Sequence, residues 1–396
     1  MTGKRREYRE EDVRIRPGRS SRPRTRTRPA HDDAVPAFVV TVARGRYICV
    51  LSEDDDGRHG PNDGSAAAPM VTAMRARELG RKSVVVGDRV FLVGETTGRD
   101  GALARIVRIA ERRSVLRRTA DDDDTTPEGR LERVVVANAD QLVIVSSLAD
   151  PPPRTGFIDR CLVAAYDADV EPLLCLTKSD LAGPEEVLDY YAELDLRHVL
   201  VRPDSDLAEL RRLLGDRVSV MVGHSGVGKS TLVNRLVPDA DRAVGVVSAV
   251  GRGRHTSTSA VALHLPPLPT AAAPDSGIDA EPDASGGETD GGEPGLVESG
   301  VVSGGEEIKP GRDVGAGWII DTPGIRSFGL AHVSADSLLH GFADLVEGTV
   351  DCPPNCEHTA TDAECALPAW VAAGHADARR LASYRRLLAS RAGETE

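Results

Sequence analysis

The chain of 396 residues has no apolar run of the roughly 18 to 20 residues that a membrane-spanning helix needs. Its arginine-rich beginning also lacks the apolar core of a secretory signal. Aromatic side chains make up only 3% of the chain, with five phenylalanines and two tryptophans. From these absences we expect a cytoplasmic protein that does not associate with membranes and has few rings available for stacking.

The six cysteines do not show the pattern of a disulfide framework. The first three lie singly in apolar runs, whereas the last three cluster beside a histidine. This second group comprises Cys352, Cys356, His358 and Cys365. Three thiolates and one imidazole make a tetrahedral Zn²⁺ set that leaves no position for water, so we predict one structural zinc per chain. Buried or redox-active cysteines are the alternative.

Charge is unevenly distributed along the chain, which carries 49 basic and 62 acidic residues. The first thirty residues hold eleven Lys or Arg against four acids, whereas residues 266–313 hold eleven acids against two bases. We predict a disordered basic arm at 1–35 and an acidic low-complexity insertion at 266–313. The arm either adds affinity for nucleic acid or is a solvated tail.

Short β-rich runs separated by Gly- and Asp-containing turns predict a small all-β barrel over residues 36–118. The predicted strands are Phe38–Val42, Tyr47–Leu51, Val84–Val86, Arg89–Val93 and Ala102–Ile109. Four consecutive aspartates and a proline then indicate an acidic linker at 119–132. From 133 to 332 apolar strands alternate with amphipathic helices, which predicts a parallel α/β sheet. Residues 333–396 are expected to form a mostly helical zinc-binding domain.

The strongest motif is a complete phosphate-binding loop between an apolar strand, Val218–Val222, and a helix-compatible run, Ser230–Val237. Its glycines let backbone N–H groups converge on the α- and β-phosphates of a nucleotide. Lys229 would reach the β,γ-oxygens, and the Ser230 hydroxyl would ligate Mg²⁺. The residues predicted to contact the nucleotide are Gly223, His224, Ser225, Gly226, Val227, Gly228, Lys229, Ser230 and Thr231.

A possible guanine-recognition motif, Thr177-Lys178-Ser179-Asp180, lies upstream of this loop. Asp180 would accept hydrogen bonds from the guanine N1 and N2 edge, and the Lys178 stem would pack along the base. Adenine lacks that donor pair, so it would leave a carboxylate unpaired. An ordinary GTPase has the two motifs in the opposite order, so this order predicts a circular permutation. The alternative is that Asp180 caps the next helix.

A third motif, Asp321-Thr322-Pro323-Gly324, ends an apolar strand. Asp321 would hold a Mg²⁺-bound water, and the Gly324 N–H would face the γ-phosphate. Ile325 stands where many GTPases carry a water-positioning Gln, so we expect slow intrinsic hydrolysis, about 10⁻⁴ to 10⁻³ s⁻¹, that a partner accelerates.

A first switch is expected between the phosphate-binding loop and Asp321, in the segment Arg252–Thr258. Thr256 is a candidate Mg²⁺ ligand there, and His255 is a candidate for orienting the attacking water. The alternative for His255 is an exposed side chain in a polar loop.

In this order the motifs resemble the ribosome small-subunit-dependent GTPases, a bacterial family with a circularly permuted GTPase domain. The resemblance spans about residues 35–391, and it includes Val136–Gln141, the phosphate-binding loop, Gly253–Thr256, Asp321–Gly324 and the cysteine cluster. It implies an OB-fold, a permuted P-loop GTPase domain and a zinc domain that bind the 30S subunit and its 16S rRNA during late maturation. It further implies that the 30S subunit stimulates GTP hydrolysis and that His255 takes part in it.

Two rival functions stay open at this point, a P-loop ATPase or kinase and a non-catalytic RNA-binding module. The stretch Leu200–Asp204, where a second base-contacting loop belongs, lacks the usual Ser-containing signature. Because aromatics are scarce, phosphate and shape contacts would dominate RNA binding, which would weaken steeply with salt. We expect a monomer.

The chain order also suggests how the domains are arranged. Because Asp321–Ile325 lies only about 27 residues before Cys352, we expect phosphate sensing to face the zinc domain. Base recognition would then face the barrel.

Overall fold

The computed structural model describes residues 31–43, 45–52, 70–79, 83–99, 101–118, 133–238, 240, 260–268, 316–322, 328, 330, 333–339 and 341–391. Residues Ala34–Glu396 form one compact unit. The strands in the described residues are β1 Val35–Ala43, β2 Arg46–Leu51, β3 Met70–Arg75, β4 Arg89–Gly94, β5 Ala104–Ile109, β6 Val115–Arg118, β7 Arg133–Ala137, β8 Gln141–Ser147, β9 Glu171–Thr177, β10 His198–Val201, β11 Val218–Val222, β12 Val261–Leu265 and β13 Gly317–Asp321. The α-helices are α1 Thr155–Asp167, α2 Glu185–Tyr191, α3 Ala208–Leu214, α4 Lys229–Leu236, α5 Ala335–Leu339, α6 Ala343–Val346, α7 Leu367–Ala372 and α8 Ala378–Arg391.

The first five strands form a closed barrel in the order β1-β2-β3-β5-β4, and pairing of β1 with β4 completes the ring. This is an OB-like barrel, as the sequence predicts. Two details differ from the prediction. Val84–Val86 is buried, and within the described residues its strand pairing is one bridge, from Val86 to Val136. Strand β3 lies outside the predicted strands, since Val71 and Thr72 are the two β-branched residues among its six.

The nucleotide-binding half of the chain is a sheet in the order β10-β9-β8-β11-β13-β12. All of its neighbouring strands are parallel except β12, which runs antiparallel to β13. The central strands β8 and β11 are buried along their whole length, which matches their continuous apolar sequences. The predicted α/β sheet is therefore confirmed, and parallel pairing brings the carboxyl ends of β9, β11 and β13 to one edge.

The barrel and this sheet are continuous, because β1 pairs antiparallel with β12 at Thr41 and Val261. The barrel therefore lies beside β12 and β13, and β9 lies toward the far side of the sheet. The last helix, α8, packs against α1 and against the 3₁₀ turn Ala192–Leu194. The expectation that base recognition faces the barrel and phosphate sensing faces the zinc domain is wrong.

The C-terminal helices pack against α1 because they bury apolar side chains there. Phe342 and Tyr384 are fully buried, and they belong to the same core as Ile158 of α1. Because these side chains are buried in the same core as α1, the C-terminal helices pack there and not beside Asp321, although Asp321 is nearer to them in sequence. None of the helices in the described part of the chain has the length and apolar character that a membrane span needs.

Candidate nucleotide site and cysteine cluster

The phosphate-binding loop joins the fully buried strand β11 to helix α4. Gly226 and Gly228 have φ angles of 87° and 89°, which L side chains rarely adopt. A Cβ atom on Gly223 would lie 2.7 Å from the Val145 carbonyl oxygen of the neighbouring strand. Ser225 and Ser230 are exposed, so the surface of the loop is open to a ligand. The glycine positions are therefore needed for the loop's shape.

Lys229 and Asp321 meet at the carboxyl edge of the sheet. The Lys229 ammonium forms an ion pair with Asp321 Oδ1. Asp321 ends β13, where it lies opposite Met221 of β11, and the Thr322 hydroxyl donates to the Met221 carbonyl at 2.8 Å. The structure thus brings together the cation and the carboxylate that the sequence assigns to phosphate and Mg²⁺.

The predicted guanine motif begins at the last residue of β9. The Thr177 hydroxyl donates to the Val227 carbonyl of the phosphate-binding loop at 2.6 Å. Lys178 adopts a φ of 57°, and its ammonium donates to the Asp150 carbonyl. Ser179 N donates to the Val201 carbonyl at 3.4 Å. The motif therefore holds the phosphate-binding loop directly, a role that sequence reasoning missed.

Asp180 is exposed, and the structure argues against the capping alternative for it. Helix α2 begins at Glu185, and the residue at its N-cap position is Pro184. Asp180 lies three residues after Thr177, the last residue of β9, so it is at the same sheet edge as the phosphate-binding loop. This placement suits recognition of a base.

A side chain from α1 supports the back of the phosphate-binding loop. The Phe157 ring packs on the His224 ring with centroids 4.1 Å apart, and Phe157 is buried. On the other side of the loop, a Cβ on Gly226 would lie 3.5 Å from Pro151 Cδ. Sequence reasoning missed Phe157, although in a chain with five phenylalanines each ring is a usable signal.

Hydrogen bonds from α4 fix the loop after β10, which lacks the Ser-containing signature usual for a base-contacting loop. Arg235 of α4 donates to the Arg202 carbonyl at 3.0 Å and to the Ser205 carbonyl. The Ser205 hydroxyl in turn donates to the Arg202 carbonyl at 3.0 Å. This segment is therefore fixed relative to α4, which begins at the phosphate-binding lysine.

The four predicted zinc ligands converge in the C-terminal region, with their ligand atoms all within 4.8 Å of one another. His358 Nδ1 lies 3.5 Å from the sulfur of Cys352, 3.3 Å from that of Cys356 and 3.8 Å from that of Cys365. The Arg385 guanidinium donates to the His358 carbonyl at 3.2 Å, which ties the cluster to α8.

The chemistry of these donors fits Zn²⁺. Burial, together with the nearby Cys365 and Cys352, raises the pKa of the Cys356 thiol to about 11. Burial lowers the pKa of His358, which favours the neutral imidazole that ligates metals. A bound Zn²⁺ deprotonates such thiols outright, so the cluster could hold one ion with four protein ligands.

Three predicted site residues lie outside the described residues: the candidate catalytic residue His255 and the predicted nucleotide contacts Thr256 and Gly324. Most of the acidic insertion, the acidic linker and residues 1–30 of the basic arm also lie outside them.

A phosphate-binding loop on β11 that lies downstream of Thr177-Lys178-Ser179-Asp180 has the motif order of a circularly permuted P-loop GTPase. A model of the RsgA GTPase family matches residues 109–269. The small ribosomal subunit biogenesis GTPase RsgA of Chlorobaculum parvum is 33% identical over 318 residues, which cover 78% of this chain and 86% of that protein. The corresponding protein of Nitrosospira multiformis is 29% identical over 375 residues, 93% of each chain. This chain belongs to the RsgA family and is a GTPase.

Two solved structures share its fold. The circularly permuted GTPase YloQ matches with a TM-score of 0.54 and 19% identity over 93% of this chain and 99% of that one. YjeQ from Thermotoga maritima matches with a TM-score of 0.55 and 21% identity, over 91% of this chain and all of the other.

Proposed function

We propose that this protein binds GTP at the β11 loop, hydrolyses it, and acts in the late maturation of the 30S ribosomal subunit. The observation that carries the proposal is the meeting of Lys229, Asp321 and Thr177 at one sheet edge, in a chain of the RsgA family. The backbone N–H groups of residues 223–231 bind the phosphates, and the Asp180 carboxylate selects guanine. Mg²⁺ ligated by Ser230, with Asp321 holding a Mg²⁺-bound water, would neutralise charge on the γ-phosphate.

The first experiment measures GTP turnover with and without purified small subunits. We expect 30S subunits to raise turnover well above the basal rate, whereas equal stimulation by 50S subunits would refute the assigned partner. Lys229→Ala should lower turnover by about 10²- to 10³-fold, because it removes the cation that faces the transferred phosphate. Asn234→Ala, an exposed change on the same helix, should leave it unchanged. If Lys229→Ala changes neither turnover nor subunit release, the nucleotide site is only structural.

Base selection separates GTP from ATP hydrolysis. The Asp180 carboxylate accepts from two guanine donors, so Asp180→Asn should shift preference toward xanthosine nucleotides, whose base offers the complementary acceptor. ATP binding as tight as GTP binding, with no shift in the variant, would favour the ATPase or kinase function. Equilibrium binding of the three nucleotides measures this.

The barrel offers a surface for 16S rRNA. Arg46 of β2, Met74 of β3 and Arg105 of β5 are paired in register on adjacent strands, and all three are exposed. Two guanidinium groups flanking an apolar side chain suit contact with an RNA backbone. Arg105→Ala should weaken small-subunit binding and lower the salt slope by about one. The same change at exposed Arg212 on α3 is the control.

We also propose a division into the OB domain 36–118, the linker 119–132, the GTPase domain 133–332 and the zinc domain 333–396. The closed barrel and the converging cysteine cluster support its first and last members. His255 as the catalytic group, with Thr256 and Gly324 as nucleotide contacts, stays part of this proposal. So do a monomeric state and a cytoplasmic location.

A further inference from the structure

Strand β1 uses one edge for two partners in succession. Residues Val35–Phe38 pair with β4, which closes the barrel. The register of β1 with β2 then shifts between Val39 and Thr41, as in a β-bulge. Beyond that shift, Thr41 pairs with Val261 of β12 on the edge that β4 has left. The bulge therefore marks the point where β1 passes from the barrel to the nucleotide-binding sheet.

The rung that begins at Thr41 leads directly to Asp321. Val261 pairs with Thr41 on one side and with Asp321 on the other. Asp321 in turn pairs with Met221, two residues before the phosphate-binding loop. A single transverse row of backbone pairs thus joins the barrel to Asp321, the carboxylate that would hold a Mg²⁺-bound water.

Aromatic packing reinforces this seam between barrel and sheet. The Phe38 and Trp318 rings have centroids 5.0 Å apart, and the His264 ring meets Trp318 edge to face at 5.3 Å. Phe38 and Trp318 are both buried. Trp318 lies three residues before Asp321 on β13, so a shift of the barrel reaches the same strand through side chains as well as through the backbone.

We propose that β1 couples the barrel to Asp321, and that RNA bound to the barrel stimulates GTP hydrolysis through the Thr41–Val261–Asp321 row. The proposal rests on the proposed function, because it supplies the route by which the small subunit acts. Phe38 and Trp318 connect the barrel to β13 in this scheme and matter only for stimulation. Met221 keeps Asp321 paired with β11, so basal geometry does not depend on the seam. Misplacement by about 1 Å is enough to cost 10²-fold in rate, and coupling between sites is typically about 5- to 150-fold.

The test compares Phe38→Leu with Phe91→Leu. Both phenylalanines lie on barrel strands and are buried to a similar extent, but Phe91 packs under Arg108 rather than against Trp318. Basal kcat, KM for GTP, small-subunit affinity and stimulated kcat are measured for each variant. We expect Phe38→Leu to reduce the stimulated-to-basal ratio by at least about fivefold, with the other quantities within about twofold. Phe91→Leu should keep the ratio of the unmodified protein.

Trp318→Phe alters the same contact from the β13 side. Because the variant keeps an aromatic ring, it is expected to fold. Its loss of stimulation should be non-additive with that of Phe38→Leu, because both changes break one contact. An unchanged ratio in both single variants, or an equal loss in Phe91→Leu, would overturn the proposal. Unmodified protein that small subunits do not stimulate would instead refute the proposed function, and this inference with it.

Discussion

The barrel and the C-terminal helices attach to the same nucleotide-binding sheet by different physical means. The barrel is joined largely through its backbone, by the pairing of Thr41 with Val261 and a bridge from Val86 to Val136, and through the contact of Phe38 with Trp318. The C-terminal helices are joined on a face of the sheet, through side chains that α8 buries against α1. The Thr41 rung and the Phe38–Trp318 contact both reach β13, the strand that ends at Asp321, whereas the Val86 bridge reaches β7.

The C-terminal attachment is broader and contains ion pairs. Tyr384 is fully buried, and its hydroxyl donates to the Ala335 carbonyl at 3.0 Å. Arg380 contacts both carboxylate oxygens of Asp344 at 2.9 Å and Asp195 at 3.1 Å. Because burial and charge act together over a whole helix, this attachment is suited to fixing a module in place, whereas strand pairing that continues to Asp321 is suited to transmitting a change.

The largest effect is expected from the cysteine cluster, which tests whether α8 depends on zinc. Cys356→Ser should abolish binding of about one Zn per chain and destabilise residues 351–366 by several kcal/mol, since structural zinc contributes about 10 to 16 kcal/mol in small peptides. Because α8 has its own buried contacts, its hydrogen exchange should stay slow. Metal analysis measures the zinc content, and hydrogen exchange measures the stability of residues 351–366 and of α8.

The control for the zinc prediction is Glu364→Ala, an exposed change beside a ligand. A Cys356→Ser protein that retains its zinc would show that the ligand set is wrong. Melting of α8 together with the cluster would show that the C-terminal attachment depends on the metal.

A buried ion pair near the β1 bulge gives the next largest effect. Asp88 is fully buried, accepts two hydrogen bonds from Arg112 at 2.7 and 2.9 Å, and accepts a third from Val85 N at 2.7 Å. Asp88→Ala leaves the guanidinium without its partner, so the free energy of unfolding should fall by about 3 kcal/mol. Urea denaturation measures this, with Glu95→Ala in an exposed turn as the control. Equal stability of the two variants would contradict the prediction.

On the C-terminal side, two adjacent arginines give a matched pair. The side chain of Arg380 is 16% exposed, whereas that of Arg379 is 74% exposed and pairs with Glu193 at the surface. Arg380→Met should lower the free energy of unfolding by about 2 kcal/mol. Arg379→Met should change it by less than about 0.5 kcal/mol, as for most surface ion pairs. Similar losses of stability in the two variants would show that the ion pairs of Arg380 are not what distinguishes the C-terminal attachment from the barrel seam.

The local chemistry of both sites could be predicted from sequence, but the arrangement of the modules could not. The phosphate-binding loop and the cysteine cluster are encoded within spans of 9 and 14 residues, where spacing alone fixes the ligand atoms. The position of the barrel depends instead on a bulge at Val40 that frees Thr41 to pair with Val261. That pairing joins residues about 220 positions apart, and no local pattern signals it.

The same limit explains the residues that were missed around the nucleotide site. Thr177 was predicted as part of a base-recognition motif, yet its hydroxyl bonds to Val227, 50 residues away. Phe157 supports His224 across a similar separation. Motifs identify which residue types act, whereas their partners depend on the order of strands in the sheet.

The smallest predicted effect concerns pH, which should distinguish the two attachments. Burial lowers the pKa of His264 at the barrel seam below its ordinary value of about 6.5. Above that pH both the folded and unfolded states are neutral at this residue. As the pH falls below it, the unfolded chain takes up a proton that the seam resists, so stability at the seam is lost on acidification, by at most about 1.4 kcal/mol per pH unit.

Asp159 at the C-terminal attachment shifts the opposite way. Burial raises its pKa, despite Arg386 nearby and a hydrogen bond from Tyr191. A raised carboxyl pKa stabilises the fold at acid pH and loses that contribution as the pH rises, so acidification from pH 7 to 5 does not weaken the contribution of Asp159. Hydrogen exchange, corrected for intrinsic rates, should therefore accelerate in β12 but not in α1, which carries Asp159. His264→Gln removes this titrating group, so it should abolish the difference in pH dependence between the two attachments. The remaining histidines are unchanged in the variant, so a difference that persists would be assigned to another group.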